Sequence, residues 1–229
     1  MTKNQKTKNI SKACKINDKI FAKLLKKLKK NEFKTEKDIA KFIDKEIKKA
    51  RAKNAFQTIV ATAENAVDWH HKPNKTKLKK GFCVIDFGAR VNKYCGDMTR
   101  TIYFGEPSKK EKKIYSKVLR ANQECIKMLK PKTDGNKIYK HALKILGKHA
   151  KYFNHSLGHG LSKIIHANPK LSKKPNQFLK TGDIITIEPG IYLPKKFGIR
   201  IEDDILITKK SHKILSHSTK KLIKIKIQN

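Results

Sequence analysis

Four carboxylates and one imidazole in this sequence sit where their chemistry demands a partner. Asp86 lies in Val84-Ile85-Asp86-Phe87-Gly88, Asp97 opens Asp97-Met98-Thr99-Arg100-Thr101, Glu188 closes Ile184-Ile185-Thr186-Ile187-Glu188, and Glu202 ends Ile199-Arg200-Ile201-Glu202. The chain carries only 19 acidic residues against 56 basic ones, so acids kept inside apolar, β-prone runs need a reason. A buried carboxylate is costly unless it is paired or binds a metal. His159 stands between two glycines in His155-Ser156-Leu157-Gly158-His159-Gly160, with His166 a little farther on. Glycines there let backbone approach a crowded site. Four carboxylates and an imidazole form a hard, oxygen-rich ligand set, suited to two divalent ions about 3.5–4 Å apart such as Mn²⁺, Co²⁺ or Fe²⁺, better than to thiolate-bound structural zinc. In such a centre two carboxylates would bridge the ions, which would share a hydroxide.

Strands are the elements that could bring these groups together. Side chains alternate faces along a strand, so Asp86 and Asp97, on runs 81–89 and 95–104 joined by a turn at Arg90–Tyr94, can point to one side of a hairpin. In the last motif Arg200, Glu202 and Asp204 share one face and Ile199, Ile201 and Ile205 the other. Another β-prone run covers 56–62. Upstream, Ala13, Ile16, Ile20, Leu24 and Leu28 recur at helical spacing and predict an amphipathic helix over 8–31. A second helix opens at a Thr35/Asp38 capping box and carries Ile39, Phe42, Ile43 and Ile47 on its apolar face. Ser108 and Glu111 form another capping box, opening a helix to about Leu129 that Pro131 ends, and a further helix follows over about Gly135–Ala150. The remainder, 155–227, is strand-rich, and its tail Lys221–Ile227 alternates Lys with apolar residues as a charge-protected edge strand would. Two helices followed by strands thus occur twice, the outline of two similar αβ halves sharing a sheet.

Composition narrows the function classes. The 229 residues suit a single domain, contain no apolar run of membrane-spanning length, and begin with a lysine-rich rather than signal-like stretch, so a soluble cytoplasmic protein with no membrane partner is expected. Cys14, Cys83, Cys95 and Cys125 lack paired spacing, which argues against a zinc knuckle or a disulfide framework and predicts reduced, buried thiols. The formal charge of +37 suggests weak, salt-sensitive polyanion binding, but not a specific nucleic-acid partner. Only Arg51, Arg90, Arg100, Arg120 and Arg200 could make bidentate base contacts, and aromatics are sparse.

The succession of Asp86 and Asp97, Gly158-His159-Gly160, Ile187-Glu188-Pro189-Gly190 and Ile199-Arg200-Ile201-Glu202-Asp203 resembles the pita-bread metallopeptidases over about residues 10–225. Glu202-Asp203-Asp204 within Gly198–Thr208 is similar to the prolidase and Xaa-Pro aminopeptidase branch, whereas in methionine aminopeptidases a His-Thr pair follows the last glutamate. The resemblance implies an α+β pita-bread fold, with two pseudo-symmetric αβ halves around a curved, mostly antiparallel sheet. Residues 1–229 would form a single catalytic domain, without the N-terminal domain that family members usually carry. It implies two divalent ions per chain, Mn²⁺ first, with Co²⁺, Fe²⁺ or Zn²⁺ as alternatives. Asp86 would hold one ion, His159 and Glu188 the other, and Asp97 and Glu202 would bridge them. Glu188 would also shuttle the proton to the leaving nitrogen after attack by the bridging hydroxide. His70 and His166 would donate hydrogen bonds to the oxyanion, and His70, His155, His166 and Arg200 would bind substrate.

The implied partners are peptide substrates with an N-terminal Xaa-Pro bond, acted on by a monomer or homodimer. Some local residues depart from the family pattern. Ala63-Glu64-Asn65 replaces the usual Ser-Gly-x-Asn, Trp69 stands where proline is common, and Ser162, Lys163 and Ala167 replace Gly, Leu and Glu. These bear on specificity more than on metal binding. Two rival readings remain: a methionine or broad-specificity aminopeptidase of the same fold, and a non-catalytic protein- or nucleic-acid-binding module. His71 reads only as a neighbour of His70, and His141, His149, His212 and His217 read as solvated surface residues.

Overall fold

The computed structural model describes residues 3–227. In chain order the elements are α1 (Lys3–Lys29), α2 (Glu36–Lys49), β1 (Lys53–Asn54), β2 (Ile59–Thr62), β3 (Gly81–Phe87), β4 (Ala89–Val91), β5 (Tyr94–Cys95), β6 (Met98–Phe104), α3 (Lys109–Lys127) and α4 (Gly135–Leu146). There follow β7 (Gly158–Gly160), β8 (Ala167–Leu171), β9 (Ile184–Ile187), β10 (Gly190–Leu193), β11 (Phe197–Arg200), β12 (Asp203–Ile207), β13 (His212–Ile214) and β14 (Lys224–Ile225). Short 3₁₀ turns occupy Ala63–Val67 and Gly147–Tyr152.

The helices form for the reasons their sequences suggest. Both capping boxes close reciprocally: Thr35 Oγ1 accepts from the Asp38 N–H while Asp38 accepts from the Thr35 N–H, and Ser108 and Glu111 do the same. α1 starts several residues before its apolar stripe, and Lys26, Lys27 and Lys29 in its last turn complement the helix dipole. α4 is shorter than expected. It gives way at Gly147, whose φ is 54°, to the 3₁₀ turn.

Two helix-plus-sheet layers result. Ile20, Phe21, Leu24 and Leu28 of α1 and Ile39, Ile43 and Ile47 of α2 bury against Val60, Ile85, Phe87, Met98 and Ile102, on a four-stranded sheet ordered β14-β6-β3-β2. Ile114, Val118 and Cys125 of α3 and Ile138, Ala142 and Leu146 of α4 bury against Ile185, Ile187, Ile205 and Ile207, on a five-stranded sheet ordered β13-β12-β9-β7-β8. Two small units, β1-β4-β5 and β10-β11, complete the curved sheet surface, so it is divided into hydrogen-bonded segments rather than continuous. Among the described residues all pairings are antiparallel except β14 on β6, where the alternating tail forms its short edge strand. The halves meet where Glu202 N–H donates to the Thr99 carbonyl (3.1 Å) and Thr101 Oγ1 donates to the Arg200 carbonyl (2.8 Å).

The expected hairpin exists with a jog. Asp86 pairs with Thr99 across β3–β6, and the strands then break at Gly88 and Gly96 before the small β4–β5 hairpin. A Cβ on Gly88 would stand 2.1 Å from the Gly96 carbonyl oxygen, so only glycine admits this crossing. Asp97 emerges directly after it. The four cysteines are free and buried, as expected. No helix among the described residues is long and apolar enough to cross a membrane.

Candidate metal centre and substrate cavity

The sequence-selected residues line one cavity of about 520 Å³. Asp86, on β3, and Asp97, just before β6, come from the first half; His159 on β7, Glu188 at the end of β9 and Glu202 between β11 and β12 come from the second. Ligand atoms of Asp97, His159 and Glu202 all lie within 4.8 Å of one another. Glu188 Oε1 is 3.3 Å from His159 Nε2, and Asp97 Oδ2 is 3.8 Å from the same nitrogen. Asp86 is turned toward Arg200 at 2.7 Å, with its other oxygen left over.

The electrostatics of this cluster are those of a cation site. Burial, reinforced by the neighbouring acids, raises the carboxyls of Asp97 and Glu202 well above their ordinary range. Burial, opposed by Arg200 and reinforced by Asp86, pushes Glu188 up to about 8. The buried Oδ1 atoms of Asp86 and Asp97 have no hydrogen-bond partner among the described residues. Burial, with His166 adding to it, lowers His159 to about 4, so the ring is neutral at pH 7. Its Nδ1 contacts the Gly160 carbonyl at 3.2 Å, which leaves Nε2 with its lone pair facing Asp97 and Glu188. Crowded acids with orphaned oxygens and a neutral, oriented imidazole fit divalent metal.

A polar brace holds these groups in place. Arg200 donates to Asp86 (2.7 Å), to the Tyr192 hydroxyl (2.8 Å) and to Thr99 Oγ1 (3.0 Å), and Thr99 in turn donates to Glu202 (2.7 Å). Asp204 accepts from the Asp97 N–H (2.8 Å) and from the Cys14 thiol (3.1 Å), which ties α1 to the cluster. Sequence reasoning passed over Thr99, Tyr192 and Cys14. Only the alternation that put Asp204 on the Glu202 face hinted at this layer.

The histidines divide. His70 and His166 are exposed on the cavity, and the His166 ring stands edge-on to His159 at 4.6 Å. His155 is held at both nitrogens, by the Ser156 carbonyl and the Tyr192 hydroxyl, each at 2.8 Å. Burial, reinforced by Arg200, drives its pKa to about 3. His71 is more than a neighbour of His70: its Nε2 is 2.8 Å from Glu36, which is fully buried and also accepts from Thr62 and Asn65. Ala63 lies beside this knot at φ 49°, a left-handed conformation that costs a non-glycine residue roughly 1–2 kcal/mol. The Glu36 hydrogen bonds over-determine the turn. Of the histidines expected on the surface, His217 is exposed, but His141, His149 and His212 are half-buried, and His212 contacts the Leu129 carbonyl at 2.9 Å. The turn Ala63–Val67 rests on β11, where a Cβ on Gly198 would stand 1.8 Å from the Ala66 carbonyl oxygen.

Comparisons with known proteins agree with this fold. The sequence profile of metallopeptidase family M24 matches residues 8–209. The chain is 38% identical over 220 residues to the Xaa-Pro dipeptidase of Pyrococcus horikoshii, covering 94% of this chain and 62% of that protein. Among solved structures it superposes on the prolidase of Thermococcus sibiricus with a TM-score of 0.92 at 35% identity, over 97% of this chain and 61% of the other. The X-Pro aminopeptidase of Thermotoga maritima gives a TM-score of 0.90 at 31% identity, over 97% and 64%. The chain therefore spans less than two thirds of the length of these relatives. Matched along most of its own length in sequence and in fold, the chain belongs to metallopeptidase family M24.

Proposed function

We propose that this chain is an exopeptidase that cleaves the bond between an N-terminal residue and a following proline. The observation that carries the reading is the convergence of unneutralised buried acids and a neutral imidazole in a cavity of peptide-binding size. The preference for proline is supported by the Xaa-Pro activities named for the Pyrococcus and Thermotoga relatives. In this reading Asp86 would hold one divalent ion, His159 and Glu188 would hold the other, and Asp97 and Glu202 would serve both. Divalent metal held there, Mn²⁺ by preference, would activate water at neutral pH and polarise the scissile carbonyl.

The chain's own residues do the rest. The substrate's free α-amino group rests near the metals and Asp86, at the same end of the cavity. Glu188, on the cavity wall and 3.3 Å from His159 Nε2, passes the proton to the leaving nitrogen. His70 and His166, both on the cavity, donate to the developing oxyanion. Arg200 fixes the Asp86 and Thr99 side chains, and through Thr99 the Glu202 carboxylate.

The test is hydrolysis of Ala-Pro, Ala-Pro-Ala and Met-Ala by Mn²⁺-loaded wild type and Glu188→Gln, with metal analysis alongside. Cleavage of the first two, loss of that activity in the variant and stoichiometric divalent metal are expected. Cleavage of Met-Ala alone would move the chain to a different aminopeptidase specificity. A purified protein holding no divalent ion would make it a binding module.

A further inference from the structure

A chain of short contacts runs away from the metal cluster. Glu188 Oε2 lies 3.9 Å from His155 Nδ1, the other nitrogen of that ring meets the Tyr192 hydroxyl at 2.8 Å, and the same hydroxyl accepts from Arg200. Because the Nδ1–H is directed at the Ser156 carbonyl, Nε2 is the acceptor for Tyr192, and His155 has no N–H left to offer a substrate. It offers its ring face. Trp69 completes the surface, with its ring centroid 5.8 Å from His155 and 5.6 Å from Tyr192, on the cavity wall. Its position is fixed by the turn that Glu36 ties down through Thr62, Asn65 and His71.

We propose that Trp69 is the specificity-determining residue for proline after the scissile bond, closing the Trp69–His155–Tyr192 corner as the seat of the pyrrolidine ring. This rests on the peptidase reading above, in which Glu188 protonates the leaving nitrogen. That nitrogen belongs to the second residue, so the second residue lies on the Glu188 side of the cavity, against this corner. Proline brings three methylene groups and no N–H, and aromatic faces accept such C–H groups well. A secondary amide brings an N–H into a corner whose polar atoms are engaged with one another, and a desolvated donor without a partner is penalised. Trp69 thus favours proline and disfavours its competitors by the same geometry.

Trp69 is also the only tryptophan of the chain, so intrinsic fluorescence reports on this corner alone. The experiment compares wild type, Trp69→Phe and Trp69→Leu on Ala-Pro and Ala-Ala, and titrates both dipeptides into Mn²⁺-loaded Glu188→Gln while following tryptophan emission. Trp69→Leu is expected to lower the Ala-Pro to Ala-Ala ratio of kcat/KM roughly ten-fold, mainly through KM, and Trp69→Phe by no more than about three-fold. Ala-Pro should change the emission saturably, at concentrations roughly ten-fold below Ala-Ala. An unchanged ratio in Trp69→Leu, or emission unmoved by Ala-Pro, overturns the assignment even if the enzyme is a prolidase. If wild type cleaves neither dipeptide the peptidase reading fails, and the fluorescence titration alone decides whether the corner takes the ring.

Discussion

Glu202 and Asp203 are chain neighbours, 2% and 0% exposed, yet their carboxylates meet opposite surroundings. Asp203 is gripped by two cations: Arg100 at 2.7 Å on one oxygen and Lys220 on the other. Arg100 is itself saturated, donating further to the carbonyls of Thr99, Glu202 and Ser218. Glu202 receives a single hydroxyl, from Thr99, and shares its cavity with Asp86, Asp97 and Glu188. One buried guanidinium, Arg200, serves that whole group, and its ion pair is with Asp86. Where this fold needs a buried acid for structure, the chain supplies the counter-charge from its own side chains. Where it leaves acids crowded and short of cations, the missing charge comes from a bound cation or, without one, from protons that the acids keep.

That contrast can be broken from either side. The largest effect is expected from Glu202→Gln, which should abolish stoichiometric divalent binding and lower Ala-Pro hydrolysis by about three orders of magnitude. In chelator-treated samples the same variant should melt at or above the wild-type temperature, because it removes a repelled acid. A marked drop would instead make Glu202 a structural residue like its neighbour. Asp203→Leu should do the reverse, costing about 3–5 kcal/mol in denaturant unfolding with or without metal, since it leaves Arg100 buried and unpaired. A variant as stable as wild type would mean that the two networks do not differ in kind.

A smaller effect sharpens the comparison through pH. Asp97 and Glu202 are raised by burial and by each other's charge, and Glu188 is raised to about 8, so the metal-free fold holds protons that the unfolded chain has lost. Stability of metal-free protein should therefore fall as pH rises from about 6.5 to about 8, whereas below about 6.5 the lowered His155 and His159, neutral in the fold and protonated on unfolding, oppose that slope. Metal-loaded protein should lack this slope, because ligands already deprotonated have no protons to give up. Parallel melting series in chelator and in Mn²⁺ between pH 5 and pH 9 measure the difference, and two curves of equal slope would contradict it.

How legible each part was follows from sequence distance. Capping boxes and helical stripes repeat within a few residues, so α1 to α4 could be placed from local pattern alone, apart from the ends of α1 and α4. The acids of the cavity stood out because each interrupts an apolar run, and the structure brings all of them, with His159, to one cavity. Their supports did not stand out. Glu36 looks like an ordinary first-turn acid favoured by the helix dipole, and its partner His71 lies 35 residues away. Cys14 and Asp204 are 190 residues apart, and nothing in either neighbourhood signals a contact. Thr99 and Tyr192 sit in β-prone runs whose alternation says which face they share, but not which charged group that face will meet.

The small unit β10–β11 pairs Tyr192 directly with Gly198, and the carbonyl of Ala66 presses on the same spot. The doorway to the reaction chamber is therefore gauged by a single hydrogen atom. Swapping that hydrogen for a methyl would lift the lintel that carries Trp69 and His70 and nudge Tyr192 at once, so the opening would change shape with every acid of the cavity still in place.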